Sequence, residues 1–219
     1  SGELPVLDLP TDQPRPPVLT YRGKQEAVIL DRPVYSFFQK LKQDQDTTLF
    51  VVLLSAFTLF LSRLSGSKDV IVGSVATNRK YSELDNSIGL LFNIIALRFQ
   101  FDSQINFSDL VGQVREKVVN GFANGEYSFD RLIEKLNPTR DTSRSPIFSV
   151  MFQLDELNEP LPGMDKVKHG NFVLPGNDIA KFDLKLRVKD IRGRDSAKLI
   201  FEYNTDLFHQ ATIQKRLQE

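Results

Sequence analysis

Cysteine is absent from these 219 residues. Its absence excludes disulfide frameworks, thiolate nucleophiles and Cys-ligated zinc. Histidine is scarce: His169 and His209 are the two present, which leaves little general-base chemistry of the commonest kind. An excess of one charge is missing as well, with 28 basic residues against 28 acidic ones. A balanced chain lacks the broad basic face that phosphate contacts demand, so a nucleic-acid partner is not expected. Long hydrophobic runs are also lacking. The most apolar stretch, Leu49 to Leu64, is broken by Ser55, Thr58, Ser62 and Arg63. Its uninterrupted pieces fall far short of the ~20 residues that span a bilayer, so it reads as a helix buried on most sides. Residues 1–17 show no basic region leading into an apolar core, hence no signal peptide. These absences set the expectation of a cytoplasmic protein with no membrane partner.

What is present suits a folded domain. An apolar fraction of 41% and a charged fraction of 26% are ordinary for a globular chain. The length fits one large domain or two small ones and can bury a core without staples. An α/β or α+β domain poor in catalytic groups is expected.

Prolines at 5, 10, 14, 16 and 17 crowd residues 1–23. Proline fixes φ and lacks a ladder donor, so Leu4 to Pro17 is expected as an extended linker-like arm before a body spanning residues 24–219. Lys24 to Leu30 reads as a strand. Pro33 suits the first turn of a helix reaching Leu41, with Asp31 as its cap. Asp46 or Thr47 is expected to cap the apolar helix, which ends near Gly66. Asp69 to Val75 is a short apolar run, as in a strand covered on both faces. Asn93 to Phe101 alternates: Ile95, Leu97, Phe99 and Phe101 share one side, Arg98 and Gln100 the other. Phe107, Leu110, Val111, Val114, Val118 and Phe122 fall at helical spacing behind a cap at Asn106, with Ile105 packing on Leu110. Phe129 to Leu136 is a second short helix, and Ile147 to Leu154 a strand. Residues 158–180 are rich in loop formers. Phe182 to Val188 and Leu199 to Tyr203 alternate on either side of a polar turn, Arg192 to Ser196, as an antiparallel hairpin with one wet face does. A last helix is expected from near Leu207 to Glu219, where no stop signal follows and the chain reads as cut.

Few side chains invite a chemical reading. His169 lies in a loop beside two lysines, and His209 opens the last helix, where solvation or capping explains it. Asp44 and Asp46 sit on a polar turn where capping suffices. Gly73, Gly89 and Gly112 match no phosphate loop. The 17 phenylalanines fall at core spacings.

Three stretches are harder to assign to packing. Ile88-Gly89-Leu90-Leu91-Phe92-Asn93 sets a glycine in a tight turn and an asparagine at the mouth of an apolar strand. Asn124-Gly125-Glu126-Tyr127-Ser128-Phe129-Asp130 is a polar and aromatic turn between helices. Arg140-Asp141-Thr142-Ser143-Arg144-Ser145-Pro146-Ile147 is a charged loop feeding a strand, in which Arg140, Asp141 and Arg144 can pair.

In order and spacing these stretches resemble the three C-terminal motifs of the condensation domains of nonribosomal peptide synthetases. Those motifs read Ile/Val-Gly-x-Phe-Val-Asn-Thr with an arginine four residues on, His/Asn-Gln-Asp-Tyr/Val-Pro-Phe-Glu, and Arg-Asp-x-Ser-Arg-Asn-Pro-Leu. Arg98 stands at the arginine of the first. Leu9 to Pro16, Asp69 to Arg79 and Lys181 to Leu184 resemble further family segments, so the likeness covers essentially the whole chain. Leu91 and Phe92 replace Phe-Val, Ile94 replaces Thr, and Gly125 and Ser128 replace Gln and Pro. Val75 and Asn78 replace Pro and Gly. The family's His-His-x-x-x-Asp-Gly motif, which belongs to its N-terminal lobe, has no counterpart here.

The resemblance implies an α/β fold: a single chloramphenicol-acetyltransferase-like lobe with a mixed, mostly antiparallel sheet packed with helices. It implies the C-terminal lobe of a condensation domain, one wall of a tunnel in which amide bonds form between carrier-bound thioesters. Gly89, Phe92, Asn93, Arg98, Tyr127, Phe129, Arg140, Asp141 and Arg144 would be its tunnel or motif residues. Asn93 is expected to face the groove between lobes, and Arg98 to be mainly structural. No catalytic residue, metal ligand or directly bound cofactor is expected; the phosphopantetheine arms of carrier proteins would enter from outside. The implied partners are the N-terminal condensation lobe and the peptidyl carrier and adenylation domains of one megasynthase. Alone, the chain is expected to form no peptide bonds. The segment from Glu159 to Ala180 is expected either to be mobile between Pro160 and Asp178 or to pair with a second copy. The alternative is a non-catalytic, truncated condensation-like module that serves as a docking platform. Another acyltransferase of this superfold is disfavoured, because it too needs the missing histidine.

Overall fold

The computed structural model describes residues 4–77, 89, 91–102, 104–156, 178–191 and 196–219. The elements in chain order are β1 (Gly23–Leu30), α1 (Arg32–Asp44), α2 (Leu49–Ser65), β2 (Asp69–Thr77), β3 (Phe92–Gln100), α3 (Phe107–Ala123), α4 (Phe129–Leu136), β4 (Val150–Glu156), β5 (Leu184–Ile191), β6 (Ser196–Asn204) and α5 (Gln210–Arg216).

The strands make one six-stranded sheet in the order β1-β6-β5-β4-β2-β3. The pairs β1·β6, β5·β6 and β2·β3 are antiparallel, while β2·β4 and β4·β5 are parallel. Parallel neighbours need long crossovers. The one between β2 and β4 contains β3, α3 and α4.

The apolar helix α2 is the centre of the core. Val52, Leu54 and Leu61 are fully enclosed, and Phe50 and Phe57 meet Phe152 of β4 edge-on and tilted. Thr48 caps α2 by accepting from Val51 N–H at 3.3 Å. The expected cap at Asp46 or Thr47 is therefore corrected: Asp46 sits at φ 43 inside the preceding turn. Gly66 ends the helix at φ 69, a left-handed stop that glycine adopts freely. Asn106 caps α3 through Asp109 N–H at 2.9 Å, as its sequence suggests. Asp31 occupies the N-cap position of α1 but makes no side-chain cap bond.

The starts of β4, β5 and α5 differ from the sequence expectation by two residues or more. Strand β4 starts at Val150 rather than Ile147, because Ile147 has φ 71 and Phe148 N–H closes a three-residue turn on Pro146 O at 2.9 Å. Helix α5 starts at Gln210 rather than Leu207, because Leu207 and Phe208 are buried in the turn that leaves β6. Phe182 precedes β5 instead of opening it. The expectation for residues 160–177, and His169 with it, lies outside the described residues.

The arm contains no helix or strand from Leu4 to Tyr21, yet Leu7 and Leu9 are buried and belong to the core.

Candidate functional site

The first two motifs meet at Asn93. This residue sits near the start of β3, and its amide nitrogen donates to Gly125 O at 2.9 Å and Tyr127 O at 2.7 Å. Its Oδ1 accepts from Ile94 N–H at 2.9 Å. Asn93 thus ties the α3–α4 turn to the sheet through backbone carbonyls. The turn leaves Tyr127 exposed, and Phe92 beside Asn93 is exposed too. Gly89 is exposed ahead of the strand.

Arg98 lies farther along β3. Its Nη2 and Nε reach both carboxylate oxygens of Asp69, at 2.6 and 2.9 Å for the closest approaches. Gln100 also donates to Asp69. The Arg98 hydrogen bonds hold the Asp69 carboxyl below its ordinary value, and the same bonds raise Arg98.

Phe129 of the second motif packs on Phe148, which follows the third, with ring centroids 5.4 Å apart. Phe148 stacks in turn on Phe182 at 5.5 Å. Within this trio the Phe148 ring lies directly over Gly73 of β2.

The third motif is a loop bound to the arm. Asp141 Oδ1 accepts from Ser143 N–H at 2.8 Å and from its hydroxyl at 2.6 Å. Those two bonds lower the Asp141 pKa. Arg144 Nε is 3.6 Å from Asp141, and its fork donates to Leu7 O at 3.0 Å and Asp8 Oδ1 at 2.7 Å. Arg140 is exposed. Asn93, Tyr127 and Phe129 are therefore held at one corner, whereas Arg98 and the third motif have separate partners.

Sequence reasoning missed the pair Arg15–Asp183. Arg15 makes two bonds to the Asp183 carboxylate, at 3.0 and 2.6 Å, and one to Ser143 O at 3.2 Å. The Asp183 side chain is 1% exposed, and an uncompensated charge there would be costly. The signal was present only as two family-like segments containing these residues. His209, expected to be solvated or capping, holds the N-cap position of α5 without a side-chain cap bond, and its backbone N–H donates to Asp12 Oδ2 at 2.7 Å. Burial alone would raise the Asp12 carboxyl, but bonds from His209 N–H and the Thr212 hydroxyl carry it below its ordinary value.

A groove of about 380 Å³ runs between β3 and α3, lined by Phe99, Leu110 and Val114, but gathers no motif residue except Arg98. Among the described residues, no group of three His, Asp or Glu side chains could hold a metal.

A mixed sheet with a buried helical layer and motif loops around β2, β3 and β4 is the architecture of a chloramphenicol-acetyltransferase-like lobe. A family model described as "Condensation domain" matches residues 1–219, and the chain belongs to that family. Surfactin synthase subunit 1 of Bacillus subtilis (strain 168) is 35% identical over 221 residues, covering 99% of this chain and 6% of that protein. Gramicidin S synthase 2 of Brevibacillus brevis is 33% identical over 213 residues, covering 97% of this chain and 5% of its own length. The chain thus spans less than a tenth of these relatives. Among solved structures, a holo four-domain nonribosomal peptide synthetase bound to AMP and glycine matches with a TM-score of 0.86 at 25% identity, over 99% of this chain and 17% of that one. The X-domain from teicoplanin biosynthesis matches with a TM-score of 0.81 at 19% identity, over 100% of this chain and 49% of that one.

Proposed function

We propose that this chain is the C-terminal lobe of a condensation domain in a nonribosomal peptide synthetase, with the arm over residues 1–23 leading into a lobe over 24–219. The observation that carries the reading is coverage: the whole chain overlays about half of the X-domain chain, at 49%. The two histidines also stand apart in sequence, so the family's adjacent pair is to be supplied from outside these residues. In the reaction an acceptor amine attacks the carbonyl of a donor thioester. A C–N bond forms, the C–S bond breaks, and the thiol leaves with a proton. The lobe contributes a wall that aligns two tethered reactants, and alignment is worth much of the barrier in such a step. Its partners are the histidine-bearing lobe, carrier proteins with their phosphopantetheine arms, and an adenylation domain, all in the cytoplasm. Pairing of a second copy through residues 159–180 belongs to the same proposal, and light scattering tests it.

Loaded donor and acceptor carrier proteins test the function. The chain alone should give no peptide product, and co-expression with a matching His-His-x-x-x-Asp-Gly lobe should restore it. Product from the chain alone, lost in His209→Ala, would overturn the reading.

A second reading has one observation in its favour. The X-domain has been solved in complex with OxyB, and that structure matches this chain with a TM-score of 0.80. A non-catalytic docking platform would bind a partner protein yet give no product even with the histidine-bearing lobe.

A further inference from the structure

The third motif touches the arm at every residue from 142 to 144. Thr142 Oγ1 donates to Pro17 O at 2.8 Å, and Thr142 O accepts from Leu19 N–H at 2.7 Å. Ser143 O accepts from Arg15 at 3.2 Å. Arg144 donates to Leu7 O and Asp8, with its own side chain only 16% exposed. Arg15 then carries the connection to the buried Asp183. Asp183 sits among strand ends: its N–H donates to Ser149 O at 2.9 Å, and its O accepts from Asn204 N–H at 3.1 Å. A separate set of bonds holds the middle of the arm. Arg216 donates to Pro10 O at 2.7 Å, and Asp12 accepts from His209 N–H and Thr212. Thr142, the Ser143 carbonyl and Arg144 are thus spent on the arm, and they read its backbone as much as its side chains.

We infer that the third motif is the seat of the arm, and that Arg144 and Arg15 are positioning residues that fix the course of the chain into the lobe. This rests on reading the chain as a C-terminal lobe, because the arm is then the connection to the histidine-bearing half. A loosened arm shifts one half against the other without touching either reactant. The two guanidinium groups join arm and loop at adjacent loop residues, Arg15 at the Ser143 carbonyl and Arg144 from the next position, so they form one latch rather than two independent pairs.

The test has two arms. In the 219-residue chain, amide exchange is measured for Arg144→Gln. Leu19 N–H is the reporter, because Arg144 does not bond to it. Exchange there should rise about 10-fold, with β2 and β3 amides unchanged, as expected of a local opening. Arg144→Lys should recover much of the protection. If Arg144→Gln fails to fold, Asp8→Asn removes the same pair from a side chain that is 81% exposed. In the intact synthetase carrying this chain, Arg144→Gln should lower turnover at saturating carrier proteins about 10-fold, a misplacement effect. The half-saturating carrier concentration should not move. Unchanged Leu19 exchange in both variants overturns the latch. Faster exchange with unchanged turnover overturns the positioning role and leaves the condensation reading standing. Undiminished product from a synthetase lacking this segment overturns the reading beneath both.

Discussion

The ring of Phe148 stands where any side chain at position 73 would have to go. A Cβ on Gly73 would overlap Phe148 Cε2 and Cζ. Phe129 and Phe182 flank the ring and keep it from swinging aside. Glycine is required here by its neighbour's ring, and its backbone conformation is ordinary. Gly73→Ala is expected to lose about 2 kcal/mol in urea unfolding, within the usual cost of overpacking. In a Phe148→Ala background the same substitution should cost clearly less. Equal losses in both backgrounds would show that the clash is not the cause.

Ile147 holds a conformation that β-branched residues avoid, at φ 71. The left-handed region costs a side-chain-bearing residue about 1–2 kcal/mol, and glycine almost none. In an ordinary strand, alanine is better than glycine. At this position Ile147→Gly should be more stable than Ile147→Ala by about 1 kcal/mol. Both variants lose nearly the same packing, so thermal melts of the two isolate the backbone contribution. Alanine as the more stable variant would mean the turn relaxes without strain.

Acid should weaken the β2–β3 corner through Asp69. Its carboxyl is held below the ordinary value of 3.8 by Arg98 and Gln100. A lowered folded pKa contributes stability that is complete above the ordinary value and is lost as pH falls through the folded one. Asp69→Asn removes that contribution. Its urea midpoint should therefore trail the parent most at about pH 6 and converge on it toward about pH 2. A gap of the same size at both pH values would show that ionisation of Asp69 does not matter to the pair.

Elements with their own local punctuation were legible in the sequence. The cap at Asn106, the stop at Gly66 and the eight residues of α4 needed nothing beyond neighbours a few positions away. The start of β4 was misread because periodicity cannot report a left-handed φ at Ile147. At the candidate site the motifs were visible as segments, but their bonding was not. That Asn93 reaches the carbonyls of Gly125 and Tyr127 depends on how α3 returns to the sheet. The Arg15–Asp183 pair joins residues 168 positions apart, and no short window along the chain contains both. Its partners are set by tertiary structure alone, and an arm rich in proline reads as a linker until Leu7 and Leu9 are seen buried.

The pairing of β1 with β6 has a consequence for the order of assembly. Gly23 lies opposite Asn204, and Leu30 opposite Ala197. A strand made early must wait for one made near the end of this sequence before its ladder can close. Such long-range closure is slow, since loop entropy is lost before any contact rewards it. During synthesis the arm and β1 therefore emerge ahead of the rest of these residues and are the last of them to find their places. Until β6 is made, β1 stays unpaired, and this is the interval in which a chaperone or a neighbouring nascent chain can reach it.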